Sequence, residues 1–468
     1  MPSDSYDLVI LGGGAAGFAA ATEADRRGVR TLLVNQGLPM GGTCVNVGCM
    51  PTKHLLAAAA ALHGARHPRF RSVGASNPAF DFRRAIAEKD ALVAGARAAN
   101  YRDVLQGFSH VTWVEGRGAF VSDHVLRVGE REVRAEQVLI ATGCRTRVPP
   151  IPGLTEAGFL TNREALALER LPRSLAVLGG GALGLEFAQM FARFGATVTV
   201  VEAAARILPA AEPEISRALR GCLEAEGIQV RTAARVARVD RTPRGRRLTL
   251  EREGEAVDLA VEEILAATGV TGNIEDLNLE AAGIEAAGGF VRVDEHLRTN
   301  VPNVWAAGDV AGPPCLETVA AKQGKLAVEN AFGGGGNPLD LASVPFAVFT
   351  EPEAAWVGVT EAEYMARHGT CTCRTVPLER VPRALAASDT RGLVKMIAHH
   401  ETGRVVGVHL LAPHAAELVH EAVLAVRFGL TVDDLIDTVH VFPTFSEAVK
   451  IAAQAFRRDI TRMSCCVE

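Results

Sequence analysis

Two segments with the spacing Gly-x-Gly-x-x-Gly constrain the fold of this 468-residue chain more than any other feature. Each segment follows a short apolar run and precedes a stretch of helical character. They are Gly12-x-Gly14-x-x-Gly17 and Gly179-x-Gly181-x-x-Gly184. Between a buried strand and a helix, such glycines allow the backbone to approach a pyrophosphate that lies at the helix N-terminus. The sequence therefore predicts an α/β fold with two Rossmann-like units, each of which binds a dinucleotide.

Chain length and two connecting segments indicate the domain organisation. A prior of roughly 150 residues per domain suggests about three domains. A proline-rich segment at 148–153 and a run of glycines at 333–336 are the candidate connections. The predicted domains are 1–150 together with 271–340, 151–270 inserted between them, and 341–468. Alternating strand patterns at 393–399 and 405–411, followed by helical patterns at 417–428 and 445–457, predict that the last domain is α+β.

Composition and charge exclude several classes of protein. The formal net charge is -5 and there is no Lys/Arg-rich run, so we predict no nucleic-acid partner. No apolar stretch approaches the roughly 20 residues that span a bilayer, which predicts no membrane insertion and a cytoplasmic location. Nine cysteines in so long a chain do not indicate a disulfide scaffold. In a reducing compartment, a close pair of cysteines indicates catalysis or metal binding instead.

One such pair, Cys44 and Cys49, lies in the segment Gly-Gly-Thr-Cys-Val-Asn-Val-Gly-Cys-Met-Pro-Thr-Lys, which ends at Lys53. Two cysteines five residues apart, the second near a predicted helix start, can close a small disulfide loop. The helix dipole lowers the pKa of such a thiol into the reactive range of roughly 3.5 to 7.5. Lys53, about one turn further along, can approach a cofactor that accepts negative charge. The segment predicts a redox-active cysteine pair.

The cysteine segment and the two glycine segments are similar to those of the pyridine nucleotide-disulfide oxidoreductases, and the resemblance extends over the whole chain. The resemblance implies that residues 1–150 and 271–340 bind FAD and that residues 151–270 bind NADPH or NADH. It also implies that 341–468 is a dimerisation domain, and that the protein is a homodimer in which this domain completes the partner's active site.

Several site residues follow from the same resemblance. Cys44 is expected to be the interchange thiol, and Cys49 the charge-transfer thiol beside FAD. Lys53 is expected near the flavin, with Glu186 as its ion-pair partner beside the nicotinamide. Asp309 is expected to bond the ribityl chain of FAD.

The full set of predicted cofactor residues combines the glycine loops and the strand ends near them with positions that the resemblance implies. The predicted FAD-binding residues are Gly12, Gly14, Gly17, Asn35, Gly42, Thr43, Lys53, Ala119, Thr142, Gly143, Gly308 and Asp309. The predicted NAD(P)-binding residues are Gly179, Gly181, Gly184, Glu186, Glu202, Arg206 and Gly269. Asn35 stands where an acid usually holds a ribose hydroxyl. Glu202 predicts that NADH is used at least as well as NADPH, because its carboxylate repels a 2′-phosphate, unless Arg206 folds back to compensate.

Two features indicate the substrate. Phe442 replaces the family's catalytic histidine, and the loss of general acid-base assistance costs on the order of 10²–10⁴ in rate. Reduction of a thiolate-bound metal needs no such group. Cys465 and Cys466 form a second thiol pair near the C-terminus, and soft thiolates select soft metals. This tail resembles that of the mercuric reductases, which implies that Hg(II), arriving as Hg(II)–thiol adducts, is the substrate and that all four cysteines bind it.

Other features leave alternatives open. Mercuric reductases commonly have Tyr at the position of Phe442, and some have another at the position of Ala182. His440, Thr444 and Glu447 are the candidates to replace the missing hydroxyls. A disulfide reductase with His440 as its base, and a thiol-rich metal-sequestering flavoprotein, are the alternative functions. The sequence is expected to be a catalytic core without the N-terminal metal-binding domain that many mercuric reductases carry.

The other cysteines are expected to be structural. Cys371 and Cys373 have the spacing of one strand face, which predicts packing on an edge strand, with metal binding as the alternative. Cys144, Cys222 and Cys315 are predicted to be isolated thiols.

Overall fold

The computed structural model describes residues 4–334, 336 and 338–460. Within them, no helix is both long and apolar enough to cross a membrane. The strands are β1 Ser5–Leu11, β2 Thr31–Asn35, β3 Val111–Glu115, β4 Gly118–Phe120, β5 Val125–Val128, β6 Arg131–Ile140, β7 Cys144–Thr146, β8 Ser174–Leu178, β9 Thr197–Val201, β10 Gln229–Arg231, β11 Arg235–Thr242, β12 Gly245–Arg252, β13 Glu255–Val261, β14 Glu263–Ala266, β15 Val270–Gly272, β16 Ala286–Ala287, β17 Phe290–Val291, β18 Val304–Ala306, β19 Phe346–Val348, β20 Glu353–Gly358, β21 Thr372–Pro377, β22 Leu393–Ala398 and β23 Val405–Ala412.

The α-helices alternate with these strands through much of the chain. They are α1 Ala15–Arg26, α2 Gly42–Val47, α3 Cys49–Arg66, α4 Phe82–Arg97, α5 Asp103–Gln106, α6 Leu154–Ala157, α7 Asn162–Leu166, α8 Ala182–Phe194, α9 Pro213–Ala225, α10 Glu317–Phe332, α11 Glu361–His368, α12 Pro382–Ala386, α13 Ala415–Phe428, α14 Val432–Asp437 and α15 Glu447–Gln454. Single turns of other helix types lie at Ala98–Arg102, Leu279–Ala282, Asp309–Ala311 and Leu378–Arg380.

The chain forms two compact units. The first comprises Met1–His54, Ile86–Val148 and Gly269–Leu339, and the second comprises Leu55–Ala85, Pro149–Thr268 and Asp340–Glu468.

A seven-stranded sheet forms the centre of the first unit. Its order is β3-β2-β1-β6-β5-β4, and β18 also pairs with β6. β1, β2, β3, β6 and β18 are parallel, whereas β4 and β5 are antiparallel additions. Successive apolar residues of β1 enter opposite cores: Leu8 and Ile10 pack with α1 and α10, and Val9 and Leu11 pack on the other face. A strand that is buried on both faces needs a continuous run of apolar residues. The apolar run before the first glycine segment therefore predicted this strand.

The second unit contains a four-stranded parallel sheet, a three-stranded antiparallel sheet and a five-stranded antiparallel sheet. Their orders are β10-β9-β8-β14, β11-β12-β13 and β19-β20-β23-β22-β21. The last sheet packs its apolar face against α13, α14 and α15. Its edge strand, β21, pairs with β22 and carries Cys373, so the predicted edge position of this cysteine is confirmed.

The predicted fold class is confirmed. Both glycine segments follow a parallel strand and begin a helix, and the part after residue 341 is α+β. The predicted element boundaries are close to the observed ones. The strand predicted at 393–399 is β22, and the helix predicted at 417–428 is α13.

Candidate active site

The first glycine loop connects β1 to α1. Gly12 has φ +113°, and a Cβ there would lie 2.2 Å from the carbonyl oxygen of Ala141. A Cβ at Gly17 would lie 1.8 Å from the carbonyl oxygen of Gly12, so only glycine lets α1 pack this closely on the loop. Gly14 is the N-cap and has no side chain to bond the first turn, which leaves the helix N-terminus to an external anion.

Asn35, at the end of β2, holds this loop in place. Its Oδ1 accepts a hydrogen bond from the Gly13 backbone N–H at 3.1 Å, and its Nδ2 donates to the Leu38 carbonyl at 2.9 Å. The side chain is buried. The structure therefore gives Asn35 a backbone-organising role, and its predicted contact with a ribose hydroxyl stays a prediction.

The cysteine loop lies against the first glycine loop. Gly42 begins α2, and a Cβ on it would lie 2.7 Å from the Cα of Gly14. Thr43 follows in α2 and is exposed. This close approach between two glycines, which the sequence motif does not reveal, brings the segment that carries the thiols to the dinucleotide loop.

Cys44 and Cys49 form an asymmetric thiol pair. Cys44 lies in α2, Cys49 is the first residue of α3, and both are free thiols. A hydrogen bond between the two sulfurs lowers the pKa of Cys49 and raises that of Cys44. The ammonium of Lys53, on the same helix, lowers the pKa of Cys49 further, while burial and the carboxylate of Glu317 oppose this. The pair therefore favours a thiolate at Cys49 with Cys44 as its hydrogen-bond donor.

A second set of predicted residues lies after β6, in the same unit. Thr142 Oγ1 donates to the carbonyl oxygen of Asn273 at 2.8 Å, and Asn273 Nδ2 donates back to the Thr142 carbonyl at 2.9 Å. The backbone N–H of Asn273 also bonds the carbonyl of Gly143. Sequence analysis did not identify Asn273, because its partners precede it by about 130 residues and no motif surrounds it.

Gly308 and Asp309 follow β18. The Gly308 N–H donates to Oε1 of Gln323 at 2.7 Å, which fixes the turn that presents Asp309. Burial raises the pKa of Asp309, and the thiol of Cys144 donates to its Oδ2 at 3.0 Å. Gln323 is a further residue that the sequence did not indicate.

The prediction that Cys144 and Cys315 are isolated thiols is wrong. Cys144 forms hydrogen bonds with both Cys315 and Asp309, and these contacts together with burial raise its pKa. The two cysteines are 171 positions apart in the sequence. The turn before β7 and the loop after Asp309–Ala311 bring them together, and neither turn has a signature that predicts this pairing.

The second glycine loop connects β8 to α8 and repeats the geometry of the first. Gly179 has φ +111°, and a Cβ there would lie 2.3 Å from the Ala267 carbonyl oxygen. A Cβ on Gly184 would lie 2.1 Å from the Gly179 carbonyl oxygen. At Gly181, the N-cap of α8, a Cβ would meet no described atom within 4 Å. The loop is therefore closed toward its own helix and open at the helix N-terminus.

Glu202, after β9, bonds the second loop through one carboxylate oxygen and its own turn through the other. Oε2 accepts from the Gly180 N–H and Oε1 from the Ala204 N–H, each at 2.6 Å. The Arg206 guanidinium donates to the Pro209 carbonyl oxygen at 2.6 Å, and the residue is half-buried. Glu202 thus places a fixed negative charge beside the open end of the loop, while Arg206 bonds its own turn.

The other predicted residues lie in several parts of the two units. Glu186 is buried in α8 and accepts from the Phe349 N–H at 3.0 Å. Lys53 belongs to the first unit and Glu186 to the second, and their ion pair stays a prediction. Ala119 lies in the edge strand β4, and the carbonyl of Gly269 accepts from the Arg147 N–H at 2.9 Å.

The segment around Phe442 holds the residues considered as substitutes for a catalytic hydroxyl. Phe442 is 52% exposed. His440 Nδ1 lies 2.9 Å from the Thr438 carbonyl oxygen, and its Nε2 lies 2.7 Å from Oε1 of Glu421. Both ring nitrogens of His440 are therefore in contact with oxygen acceptors of the same subunit.

Two other candidates, Thr444 and Glu447, form hydrogen bonds within this segment. The Thr444 hydroxyl donates to the Val441 carbonyl at 2.8 Å, and Glu447 accepts from the Thr444 N–H at 3.2 Å. Cys465 and Cys466 lie outside the described residues.

These features define an oxidoreductase class with two dinucleotide loops and a thiol pair beside the first of them. Residues 6–324 match the family model of the pyridine nucleotide-disulphide oxidoreductases, and residues 344–453 match the dimerisation domain of the same family. The chain belongs to this family. Its members bind FAD and a pyridine nucleotide, and the presence of the dimerisation domain supports a homodimer.

Curated relatives and solved structures extend over nearly the whole chain. A mercuric reductase from Streptomyces lividans is 42% identical, with 98% of each chain covered. A mercuric reductase from Shigella flexneri is 38% identical, covering 99% of this chain and 83% of the relative. A solved structure, the Cu(II) complex of the HOCl-induced flavoprotein disulfide reductase RclA from Escherichia coli, has a TM-score of 0.86 and 32% identity. It covers 97% of this chain and 100% of that one.

The described residues fit both dinucleotides. Each loop leaves the N-terminus of its helix without a side-chain cap, and the second is open at Gly181. Near the first loop, the half-buried Asp309 carboxylate accepts a hydrogen bond from the Cys144 thiol. The residues that would hold FAD are those around Gly14 and Asp309, and those that would hold the pyridine nucleotide are around Gly181 and Glu202.

Proposed function

We propose that this protein catalyses the reduction of Hg(II) to Hg(0) by NADH or NADPH. The main support for this proposal is the 42% sequence identity with a mercuric reductase over 98% of both chains. The reaction balances as a two-electron transfer, in which NAD(P)H and Hg(II) give NAD(P)⁺, a proton and Hg(0). Bound FAD supplies the two-electron relay between the nicotinamide and the thiols.

The chain's own residues supply metal binding and charge. The hydrogen bond from Cys44 and the ammonium of Lys53 favour a thiolate at Cys49, and thiolate is the form that binds a soft cation. Cys44 loses its proton when the metal takes the place of the hydrogen bond. We infer that Hg(II) is held between Cys44 and Cys49 when it is reduced.

The domain roles form part of the same proposal. Residues 1–150 and 271–340 bind FAD, residues 151–270 bind NAD(P)H, and residues 341–468 form the dimer. Cys465 and Cys466 accept Hg(II) from thiol adducts and transfer it to Cys44 and Cys49 of the other subunit.

Disulfide reduction is the second candidate, because the solved structure named above is a flavoprotein disulfide reductase. Such a reaction needs a base that takes up and returns a proton. Phe442, at the position of the family's catalytic histidine, has no group for this. The phenyl ring at this position favours the metal as substrate.

The deciding experiment compares NADH and NADPH oxidation with Hg(II) in excess monothiol and with disulfides, while volatile mercury is trapped. We expect metal-dependent turnover with release of Hg(0). The double variant Cys44→Ala/Cys49→Ala should reduce turnover to background. The double variant Cys465→Ala/Cys466→Ala should lower kcat/KM by about 10- to 100-fold, as expected for loss of an auxiliary metal contact.

Cys222→Ser is the matched control, because this half-buried thiol lies on α9 and has no proposed role. It should retain wild-type turnover. Turnover of a disulfide in the absence of metal would contradict the proposal and make His440 the next residue to replace. Stoichiometric binding of Hg(II) without consumption of NAD(P)H would indicate a sequestering protein instead.

A further inference from the structure

A second group of thiols lies in the other unit, on the edge of the five-stranded sheet. Cys373 is in β21, Cys371 precedes that strand, and Glu361 is the first residue of α11. One ligand atom from each of these three residues lies within 4.8 Å of the others. We call Glu361, Cys371 and Cys373 the edge-strand thiol cluster.

The carboxylate of this cluster is held in a fixed position. Oε2 of Glu361 accepts from Lys395 Nζ at 2.6 Å, and the buried ammonium also bonds Glu212 and Glu214. The backbone N–H of Glu361 donates to a carboxylate oxygen of Glu212. The Glu361 side chain also forms hydrogen bonds with Cys373 and Cys371. Because hydrogen bonds already hold these ligand atoms in place, they need to move little when an ion binds.

The two sulfurs are accessible and close enough for one ion to bridge them. Both cysteines are half-buried, so a solute can reach them from the edge of the sheet. A metal–thiolate bond is about 2.3 Å long, so one ion can bond two sulfurs up to about twice that distance apart. Thiolate ligands select soft cations, whereas hard cations such as Mg²⁺ and Ca²⁺ need many oxygen ligands.

We propose that the edge-strand thiol cluster is a binding site for one soft, thiophilic cation of the Hg(II) type, separate from Cys44 and Cys49. Cys371 and Cys373 supply the sulfur ligands, and Glu361 supplies the oxygen nearest to them. Loading is a ligand exchange without change of oxidation state. A bis-thiol complex of Hg(II) gives up two thiols, each of which leaves with a proton from one cysteine, while two protein sulfur–mercury bonds form.

This inference does not depend on the proposed catalytic function, because binding requires neither NAD(P)H nor the redox pair. A site of this kind would hold a second cation on each subunit while the first is being reduced. Its occupancy is therefore measured without reductant, and turnover is measured separately.

The test is equilibrium dialysis of the holoenzyme against Hg(II) in excess glutathione without NAD(P)H. Cys371→Ser/Cys373→Ser should bind one Hg(II) per chain fewer than the wild type, and Cys222→Ser should bind as many as the wild type. The same dialysis with Mg(II) should show no difference between the wild type and Cys371→Ser/Cys373→Ser, because a hard cation needs many oxygen ligands. Equal Hg(II) stoichiometry in the wild type and the double variant would overturn the proposal.

A second measurement needs no variant and so does not depend on correct folding of one. The wild-type holoenzyme is treated with N-ethylmaleimide, with and without Hg(II), and the modified cysteines are identified by mass spectrometry. Hg(II) should protect Cys371 and Cys373 together and leave the modification of Cys222 unchanged. Modification of both cluster cysteines at the same rate with and without Hg(II) would rule the site out.

Discussion

The carboxylate of Glu202 has two consequences at the second glycine loop. Its Oε2 accepts from the Gly180 N–H, which shapes the loop, and its Oε1 accepts from the Ala204 N–H in the turn after β9. Its charge also lies where a ribose is expected to bind, and two like charges 4 Å apart repel by about 4 kcal/mol at an effective dielectric constant of 20. We therefore expect the Glu202 carboxylate to disfavour a bound 2′-phosphate. The Arg206 guanidinium, which could offset the repulsion, bonds the Pro209 carbonyl instead.

Glu202→Gln should change the choice of coenzyme. The amide removes the charge and keeps an oxygen for one of the two backbone donors, so we expect kcat/KM for NADPH to rise about 10-fold or more relative to NADH. Steady-state kinetics with both coenzymes measures this ratio. Glu255→Gln, which changes an exposed glutamate of the same unit, should leave the ratio unaltered. An unchanged ratio in Glu202→Gln would show that the carboxylate does not face the 2′ position.

Single residues differ in how far the sequence predicts them. The glycines, Cys44, Cys49 and Lys53 stand in motifs whose chemistry depends on local spacing, and the structure has them on the expected turns and helices. Asn273 and Gln323 support the site through hydrogen bonds that the fold creates, and their sequence surroundings carry no signal. The prediction that Cys144 and Cys315 are isolated thiols was wrong for the same reason, because their contact is created by the fold.

At the scale of elements, the packing of α1 on α10 determines the shape of the first dinucleotide loop. Gly324 lies in α10, and a Cβ there would lie 1.9 Å from the carbonyl oxygen of Ala16. The two helices therefore approach with backbone in contact. Ala16 is one residue before Gly17 of the loop, so any separation of the helices moves the loop as well.

Gly324→Ala should weaken the first unit and its hold on FAD. Overpacking of this kind typically costs 1–3 kcal/mol, and here the contact is with backbone. We expect a lower Tm and faster loss of flavin, measured by thermal unfolding and by flavin absorbance after gel filtration. Gly221→Ala is the matched control, because Gly221 lies in α9 and a Cβ there would meet no described atom within 4 Å. That change should raise stability by roughly 0.5–1 kcal/mol.

A wild-type Tm and flavin content in Gly324→Ala would show that α1 and α10 adjust without disturbing the loop. Sequence analysis predicted α1, because it follows a continuous apolar run and a glycine loop. It predicted neither α10 nor the contact between the two helices, since Gly324 has no motif and its partner is about 300 residues earlier in the chain.

At the scale of the whole molecule, the described part of the chain exposes apolar side chains in the region that matches the dimerisation domain. Val439 is 84% exposed and Val441 is 77% exposed, and Phe428 is also largely exposed. Apolar groups this exposed are typical of surfaces that bind another protein. They agree with the homodimer that the dimerisation domain supports.

Val441→Asp should shift the protein toward monomer. Burial of a carboxylate in an interface is unfavourable unless it is paired, so we expect a smaller mass by light scattering after gel filtration. Hg(II)-dependent turnover should fall with the dimer fraction, because each active site is proposed to need residues from both subunits. Val257→Asp, at an exposed valine on β13, should remain dimeric. A monomeric variant with full turnover would contradict the shared site.

The phenyl side chain of Phe442 has a consequence for how a cell uses its reducing power. A mercury-reducing enzyme works among abundant small thiols and their disulfides, which compete with the metal for the same pair of electrons. Because Phe442 offers no proton to the thiolate that leaves when a disulfide is cleaved, we expect those disulfides to be poor electron acceptors. A side chain without a proton would thus protect the nicotinamide pool from futile oxidation and reserve it for the metal.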